Sequence, residues 1–581
     1  MTNRSNIAII GGGLAGLMAA IRVAEHGQKV MLFAIHPVRR SHSVCAQGGI
    51  NAAKNLKGEG DSVDQHIDDT VYGGDFLANQ PLVKRMCEAA PGIIDMTDRM
   101  GVLYNRTPEG LLDFRRFGGT KYHRTAFAGT TTGQQLVYAL DEQVRRYESV
   151  GLVEKYENWE LLSPVIDDAG RCRGITAVNL YTMEVRAFPA DAVIAATGGI
   201  GAIFGRSTNS IVNTGSAASA LYQAGAVYAN PEFVQVHPTA MPGEDKLRLI
   251  SESARGEGGR VWVPRDGKPW YFLEDWFPSY GNLVPRDVAS RALFKVVQEL
   301  KLGVDGKDVV YLDISHLPKD ALEKKLYGIM EIYERFSGDD PRKLPMRVFP
   351  AVHYNMGGLW VDNDMATSVP GLFAAGEAEY QHHGANRLGA NSLVSCIFDG
   401  MVAGPSAVRY AEGLSVKSGE LQSGIFDTEA ARQREINARI NAMDGAESPY
   451  ALYHEMGDIM RENVTVVRHN DRLRATDEKL VELLDRYERM NINDPSPVAN
   501  QGLVFARELY NMLVLARVIT QGALKRDESR GCHYKPEFPV RDDQNWLKTT
   551  KASHTVDGPH FDYEPVDTSL IEPRERRYDI E

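Results

Sequence analysis

The stretch Ile7-Ala8-Ile9-Ile10-Gly11-Gly12-Gly13-Leu14-Ala15-Gly16 joins a short apolar run to a glycine-rich turn. The apolar run predicts a buried parallel strand, and residues 17–26 predict the helix that follows it. Gly11, Gly13 and Gly16 match the pattern G-x-G-x-x-G in this strand–turn–helix setting, with Leu14 and Ala15 inside the turn. Small residues let the backbone approach a pyrophosphate at the positive end of the helix. The stretch therefore predicts an α/β fold with a Rossmann-like dinucleotide-binding domain.

The second predicted strand, residues 29–33, excludes one common ligand. A strand at this place in a nicotinamide-binding domain ends in an acidic residue that holds the ribose. Here the strand runs into Ala34 and Ile35. We therefore expect no nicotinamide site.

Size and charge exclude several classes of protein. The chain has 581 residues, a formal net charge of −12, 43% hydrophobic residues and 24% charged residues, which predicts a globular protein of several domains. An acidic balance without a long basic run argues against nucleic acid or anionic lipid as a major partner. An anionic substrate would need a local cluster of cationic side chains.

The cysteines and the amino terminus give expectations about the compartment. Cys45, Cys87, Cys172, Cys396 and Cys532 include no CxxC pair, so neither a disulfide framework nor an iron–sulfur cluster is expected in this chain. Residues 1–6 lead directly into the first strand without a signal or transit segment, and no run approaches 18 apolar residues. We expect a reducing compartment and a chain that is not itself in the membrane.

The segment Arg40-Ser41-His42-Ser43-Val44-Cys45-Ala46-Gln47-Gly48-Gly49 resembles the flavin-attachment region of the flavoprotein subunits of succinate dehydrogenase and fumarate reductase. The resemblance implies a covalent bond between His42 and FAD, with Ser41, Gln47, Gly48 and Gly49 also at the cofactor. That family lacks the ribose-binding acid as well, so the resemblance favours FAD. A covalent link retunes the redox potential of a flavin and prevents its loss.

Later segments resemble other parts of the family's flavin site. Asp191–Gly199 implies cofactor contacts at Thr197 and Gly198, and Pro370–Glu377 implies that Glu377 faces hydroxyl groups of FAD. Asn391, Ser392 and Leu393 are likewise expected at the cofactor, with backbone groups of the last two near the ring. One departure is Ser216 in Thr214-Gly215-Ser216, where relatives often have an aspartate near the adenosine.

The remaining motifs resemble the family's catalytic residues. A dicarboxylate enters a closed site only if cations and hydrogen-bond donors receive both carboxylates. The resemblance implies that His237, Ser251, His353 and Arg387 bind the substrate, whereas Arg286 transfers the proton through Glu252 and Arg255. The alternative for Arg286 is a purely structural ion pair with Asp287 or another acid. No metal-binding residues are predicted, and a bound alkali cation stays open.

These roles imply oxidation of succinate to fumarate by hydride transfer to FAD. Fumarate reduction is the same path in reverse, and the physiological direction stays open. Because the chain has no second redox centre, an iron–sulfur protein subunit is expected to pass electrons to quinone, together with a cytochrome b-type membrane-anchor subunit. The expected location is the cytoplasmic face of the bacterial inner membrane, where partner subunits hold the chain peripherally.

Two other functions stay open. An L-aspartate oxidase-like enzyme shares the fold but lacks a histidine at the place of His42. A non-catalytic flavin-binding or assembly subunit would keep the fold without turnover, but it would have no need of a proton relay.

The order of the motifs predicts a discontinuous FAD-binding domain. Its two parts, 1–235 and 353–420, enclose an α+β capping domain at 236–352, and the active site would lie at the junction. Apolar spacings of three and four predict a helical domain at 421–530, whose apolar faces we assign mainly to internal packing. A small C-terminal domain, 531–581, is expected to follow.

Overall fold

The computed structural model describes residues 4–243 and 246–578. The strands in chain order are β1 Asn6–Ile10, β2 Lys29–Ala34, β3 Ile50–Asn51, β4 Phe114–Arg115, β5 Thr125–Ala126, β6 Val153–Glu157, β7 Trp159–Ile166, β8 Cys172–Asn179, β9 Val185–Pro189, β10 Ala192–Ala195, β11 Tyr228–Ala229, β12 Val234–Met241, β13 Arg248–Leu249, β14 Arg260–Arg265, β15 Lys268–Trp270, β16 Val310–Asp313, β17 Met346–Asn355, β18 Gly358–Leu359, β19 Leu372–Ala374, β20 Lys548–Thr555 and β21 Gly558–Pro565.

The α-helices connect and cover these strands. In chain order they are α1 Leu14–Glu25, α2 Val63–Gly73, α3 Gln80–Arg99, α4 Thr132–Ser149, α5 Ser216–Gln223, α6 Ser253–Gly256, α7 Phe272–Trp276, α8 Arg286–Phe294, α9 Lys319–Lys325, α10 Tyr327–Ser337, α11 Asn391–Glu412, α12 Gly424–Asn441, α13 Pro449–Asn463, α14 Asn470–Tyr487, α15 Gln501–Lys525 and α16 Asp543–Trp546.

A five-stranded parallel sheet in the order β19-β10-β1-β2-β6 forms the centre of the nucleotide-binding part. Ile7, Ala8 and Ile9 of β1 are fully buried, as expected for a strand with neighbours on both edges and helices on its faces. The turn after β1 requires glycine: Gly11 has φ +119°, and a Cβ at Gly16 would lie 1.9 Å from the carbonyl oxygen of Gly11. The predicted α/β fold with a Rossmann-like domain is confirmed.

The inserted part has a sheet and a hydrophobic core of its own. Its six strands follow the order β13-β12-β17-β16-β14-β15, and residues such as Val263, Leu293 and Leu312 form a separate buried cluster with α8 and α10. Strands β12 and β17 pair with each other, from Val234↔Asn355 to Ala240↔Phe349. Both strands cross the expected limits at 236 and 352, so the strands that lead into and out of the inserted part begin and end in the nucleotide-binding part.

The rest of the chain packs on the first core. Helices α12 to α15 contribute apolar residues such as Leu452, Leu480 and Leu513 to the large core around the parallel sheet. Strands β20 and β21 form a hairpin that pairs with β11 through Tyr228↔Ala552. The segment after 531 is therefore joined to the nucleotide-binding part by strand pairing. Among the described residues, no helix is both long and apolar enough to cross a membrane.

A fully buried ionic network joins the C-terminal part to the segment before β12. The Nε of Arg526 donates to Oε1 of Glu232 at 2.6 Å, and its Nη1 donates to Oε1 of Glu528 at 2.8 Å. Oε1 of Glu528 also accepts a hydrogen bond from Nε of Arg530 at 2.8 Å. The side chains of these four residues are 0% exposed. Buried charges of this kind depend on every partner being present.

We expect Arg526→Gln to destabilise the chain strongly, because it leaves the carboxylates of Glu232 and Glu528 buried without their shared cation. Breaking such a pair costs about 3–5 kcal/mol. Urea unfolding of the purified protein measures the change. The control is Arg439→Gln, which removes an exposed pair with Glu488 and should cost less than about 1 kcal/mol. Equal effects of the two variants would contradict the prediction.

Candidate active site

Two cavities meet at the side chain of His42, which lines both. The first cavity runs along the glycine-rich turn and the carboxyl ends of the parallel strands, where an open α/β sheet binds its ligands. Of the predicted cofactor residues, its walls include Gly11, Gly13, Leu14, Ala15, Ser41, Thr197, Gly198 and Glu377. Gly16 lies behind the turn and packs on Gly11.

The walls of these cavities suit an FAD. Helix α1 begins at Leu14, whose N–H donates to Ser43 Oγ at 3.3 Å, and its N-cap residue Gly13 has no side chain to cover the positive end of the helix, which suits a pyrophosphate. Ser41 Oγ, Thr197 Oγ1 and Gln47 Oε1 are buried and have no hydrogen-bond partner in the part of the chain that the structure describes. Buried polar atoms are rarely left unpaired. A bound dinucleotide with many polar groups would supply these partners.

The imidazole of His42 is held at the border of the cavities by the segment after β10. The backbone N–H of Ser210 donates to Nδ1 at 3.1 Å, and the side-chain amide of Asn209 lies 3.3 Å from Nε2. Burial, with a smaller contribution from the charge of Lys246, lowers the pKa of His42 to about 4. The ring is therefore neutral near pH 7, which is the nucleophilic form of an imidazole.

Gln47, Gly48 and Gly49 line the second cavity next to His42. The guanidinium of Arg115 holds this loop, because its Nη2 donates to the carbonyl oxygen of Gln47 at 3.0 Å. Burial lowers the pKa of Arg115 to about 9. The sequence analysis missed Arg115, which lies more than 60 residues from the loop along the chain.

Glu377 lies at the wall that the two cavities share. Its Oε1 accepts a hydrogen bond from the backbone N–H of Asn355 at 2.9 Å, and burial raises its pKa to about 7. The preceding residue is also fixed, because the N–H of Gly376 donates to Oδ2 of Asp399 at 2.8 Å. Asp399 in turn contacts Nε2 of His382 at 2.6 Å. This buried group was not predicted.

The three residues expected near the flavin ring occupy different places. Ser392 and Leu393 line the second cavity. The side chain of Asn391 instead joins a buried hydrogen-bond network, in which its Nδ2 donates to Thr70 Oγ1 at 2.9 Å and its Oδ1 accepts from Asn51 Nδ2 at 2.8 Å. Asn391 is thus placed to hold the start of α11.

Ser216 lines the far end of the first cavity, and its Oγ accepts a hydrogen bond from Asn511 Nδ2 at 2.8 Å. Two carboxyl groups that the sequence analysis missed, Glu160 and Glu508, line the same cavity. Burial raises the pKa of Glu160 to about 7, and burial together with the charge of Glu160 raises the pKa of Glu508 well above its usual value. This end of the cavity therefore has acidic groups despite the serine at 216.

The second cavity brings together six of the seven residues predicted for substrate binding and proton transfer. They are His237, Ser251, Glu252, Arg286, His353 and Arg387. The seventh, Arg255, lies behind Glu252 and reaches the cavity through it.

The two histidines lie side by side, with ring centroids 5.0 Å apart. Burial, followed by the charge of Arg286, lowers the pKa of both well below the usual range. The N–H of Thr239 donates to Nδ1 of His237 at 3.2 Å, so the proton of the neutral ring lies on Nε2. That Nε2 is buried and has no partner among the described residues, which leaves it to donate to a bound anion.

Arg387 is positioned by an aromatic ring and an amide. Its guanidinium lies 4.4 Å from the ring centroid of Tyr354, and its Nη2 donates to Oε1 of Gln235 at 3.2 Å. Burial, followed by the charge of Arg286, lowers its pKa to about 9. Its Nε is buried and unpartnered within the described ranges, so it can receive a carboxylate oxygen.

Arg286, Glu252 and Arg255 form a continuous buried hydrogen-bonded chain, along which the expected proton relay would run. The Nη2 and Nε of Arg286 donate to Oε2 of Glu252 at 2.8 and 3.0 Å, and Nη2 of Arg255 donates to Oε1 of Glu252 at 2.8 Å. Burial alone would raise the pKa of Glu252, but Arg286 and Arg255 hold it below its usual value. Asp287, one of the alternative partners of Arg286, pairs instead with Arg576 and Arg291, and the acid that pairs with Arg286 is Glu252.

Gln235 links the relay to the expected substrate-binding arginine, and the sequence analysis missed it. Its Oε1 accepts from Nη1 of Arg286 at 2.9 Å as well as from Arg387. Its Nε2 donates to Asn386 Oδ1 at 2.9 Å and to the carbonyl oxygen of Arg387 at 2.8 Å. The cavity can therefore receive two carboxylates and exchange one proton beside His42.

Comparisons with known proteins agree with this arrangement. A family model described as FAD binding domain matches residues 6–393, and one described as fumarate reductase flavoprotein C-term matches residues 453–578. The chain is 64% identical to the succinate dehydrogenase flavoprotein subunit of Bacillus subtilis over 99% of both chains. It is 33% identical to the fumarate reductase flavoprotein subunit of Escherichia coli, over 99% of this chain and 96% of that one.

Solved structures agree as well. A variant of E. coli quinol fumarate reductase FrdA superimposes with a TM-score of 0.93 at 33% identity, covering 100% of this chain and 99% of that chain. The Mycobacterium smegmatis Sdh1 complex in the apo form gives a TM-score of 0.83 at 29% identity, covering 98% of this chain and 95% of that chain.

Proposed function

The chain belongs to the family of succinate dehydrogenase and fumarate reductase flavoprotein subunits, and from this premise we propose that it oxidises succinate to fumarate with an FAD attached covalently to His42. The observation that carries the proposal is the second cavity, whose lining next to that histidine includes His237, Ser251, His353 and Arg387 together with Glu252 and Arg286. The 64% identity to a succinate dehydrogenase subunit favours oxidation as the main direction.

In this proposal the residues of the second cavity hold the substrate. His237 and Ser251 receive one carboxylate, and His353 and Arg387 receive the other. Fixing both ends holds the central methylene groups in one orientation, which removes most of the entropic cost of reaching the transition state. FAD, when bound, supplies the hydride acceptor. Glu377, Ser392, Leu393 and the Gln47–Gly49 loop would surround it.

The proton leaves by the relay. As a hydride departs from one methylene carbon, Arg286 takes a proton from the other and gives one of its own to the carboxylate of Glu252, which passes it through Arg255 towards solvent. The carbonyl oxygen of Asn282, which accepts from Nη1 of Arg255 at 2.7 Å, marks the outer end of this path. In fumarate reduction the same groups deliver the proton.

Electron transfer beyond this chain requires partners. We propose an iron–sulfur protein subunit that accepts electrons from the flavin, and a cytochrome b-type membrane-anchor subunit with the quinone site. The chain would then lie peripherally on the cytoplasmic face of the inner membrane.

Activity with an artificial electron acceptor tests the proposal. Purified protein should reduce the acceptor with succinate and form fumarate, and should do so far more slowly with L-aspartate. Fumarate reduction with a reduced artificial donor measures the reverse direction. Turnover of L-aspartate in place of succinate would support an aspartate oxidase, and turnover of neither would support a non-catalytic subunit.

We expect His42→Ala to abolish covalent attachment of flavin, because His42 is the one histidine among the described residues that lines both cavities. Acid-denatured protein on a gel should show flavin fluorescence with the wild-type band and none with the variant. His454→Ala, which replaces an exposed histidine on α13, should keep the fluorescence. Release of free flavin from the wild-type protein would contradict the covalent bond and favour an aspartate oxidase-like enzyme.

A further inference from the structure

The last described residues form a strap, residues 570–578, that crosses from the FAD-binding part to the inserted part. The N–H groups of Leu570 and Ile571 donate to Oε1 of Gln80 at 3.2 and 2.9 Å. Further along, Arg574 pairs with Asp68 of α2 at 2.6 Å. These contacts fix the first half of the strap to the FAD-binding part.

The second half of the strap enters the inserted part. The ring of Tyr578 is buried in the hydrophobic core of that part and lies 5.1 Å from the ring of Tyr280. On the other side it lies 5.6 Å from the ring of Tyr72 of α2. The strap therefore contacts both parts of the molecule at the junction where the second cavity lies.

Arg576 makes the most specific contact of the strap. Its Nη1 and Nη2 donate to Oδ2 and Oδ1 of Asp287 at 2.5 and 3.0 Å, which is a two-pronged pair. The two side chains are 7% and 0% exposed. Burial alone would raise the pKa of Asp287, but Arg576, with help from Arg291, holds it below its usual value. The pair is therefore ionised and buried.

Asp287 directly follows Arg286 in the first turn of α8. A planar fork fixes both the position and the direction of the carboxylate that it grips. The grip of Arg576 on Asp287 consequently fixes the beginning of α8, and with it the backbone from which the guanidinium of Arg286 reaches Glu252 and Gln235. No other residue of the strap contacts the first turn of α8 by a described hydrogen bond or ion pair.

We propose that Arg576 is a positioning residue for Arg286: the strap closes over the junction and its arginine holds the helix turn that presents the proton-transferring side chain. This inference rests on the proposed function, since it assigns Arg576 a task in that reaction. Arg576 touches neither cavity and acts only through Asp287 and α8.

The test compares Arg576→Gln and Arg576→Lys in the flavin-containing enzyme, with Arg577→Gln as control. Lysine keeps the positive charge at position 576 but lacks the planar pair of nitrogens with which Arg576 binds both oxygens of Asp287. The control replaces the neighbouring guanidinium, which pairs with Glu575 at the surface. Steady-state kinetics with succinate and an artificial acceptor give kcat and KM, flavin fluorescence gives covalent FAD per chain, and a thermal scan gives the unfolding midpoint.

We expect Arg576→Gln to lower kcat by about ten- to a hundredfold, since small displacements of a catalytic group have effects of this size. KM should stay within about threefold, because the residues that bind the carboxylates lie on other elements. Arg576→Lys should show a smaller loss of kcat, with wild-type flavin content and folding. Arg577→Gln should resemble the wild-type enzyme.

Two results would overturn the inference. In the first, kcat of both Arg576 variants stays within twofold of wild type. In the second, kcat, KM, flavin content and the unfolding midpoint all decline together in both variants, as a general structural role requires. If Arg576→Gln does not fold, the lysine variant decides by the same criteria. A wild-type enzyme that does not oxidise succinate would refute the proposed function instead.

Discussion

Replacing Arg286 by lysine should lower kcat for succinate oxidation by about three orders of magnitude, while flavin attachment and folding persist. A positioned acid or base contributes about 10²- to 10⁴-fold to a rate. Lysine keeps a positive charge in the cavity, but its ammonium group lacks the planar fork through which Nε, Nη1 and Nη2 of Arg286 donate to Glu252 and Gln235. Steady-state kinetics with an artificial acceptor measure the loss.

The matched control for this variant is Arg260→Lys, in the same inserted part. Arg260 also makes a two-pronged pair, with Glu274 at 2.6 and 2.8 Å, but it lies near the surface and away from the cavity. The kcat of the Arg260→Lys enzyme should stay within about twofold of the wild-type value, because most surface substitutions have small effects. An Arg286→Lys enzyme that kept a tenth of the wild-type kcat would exclude Arg286 as the proton-transferring group.

Glu252→Gln should lower kcat by about a hundredfold or more in both directions. The carboxylate is the sole bridge between Arg286 and Arg255 in the described structure, and a neutral amide cannot accept and release the proton between them. The change also leaves two buried guanidinium groups without their anion, so the unfolding midpoint should fall. Forward and reverse assays, together with a thermal scan, separate these two effects.

Glu274→Gln provides the comparison for this second variant, because Glu274 pairs with a partly exposed arginine. We expect Glu274→Gln to leave kcat nearly unchanged. If Glu252→Gln lost stability but kept its turnover in both directions, the relay through Glu252 would be wrong and the residue would have only a structural role.

Local sequence patterns predicted the nucleotide-binding part well. The turn from Gly11 to Gly16 depends on steric requirements within a few residues, and such requirements are visible in the sequence. His42, Glu377 and Arg387 were found because each lies in a motif that resembles a known family.

The residues that the sequence analysis missed depend on contacts between distant segments. Gln235 joins Arg286 to Arg387 only after β12 has paired with β17. Glu160 and Glu508 lie near each other only because β7 and α15 border the same cavity. Asn391 shows the opposite case, since its place in a motif suggested a cofactor contact and its side chain lies in a buried network. Neither spacing nor residue type indicates these arrangements.

The walls of the first cavity come from segments that lie far apart in the sequence, and this limits when the newly made chain can bind a flavin. Its walls include residues from Ile10 to Glu508, and β19, an edge strand of the parallel sheet, begins at Leu372. At a translation rate of about 5–20 residues per second, roughly 25–100 s separate the emergence of the glycine turn from that of the last wall. Until Glu508 has emerged, the nascent chain therefore has no complete pocket for the flavin. We infer that cofactor loading waits until most of the chain has been made, so flavin-starved cells should accumulate full-length apoprotein.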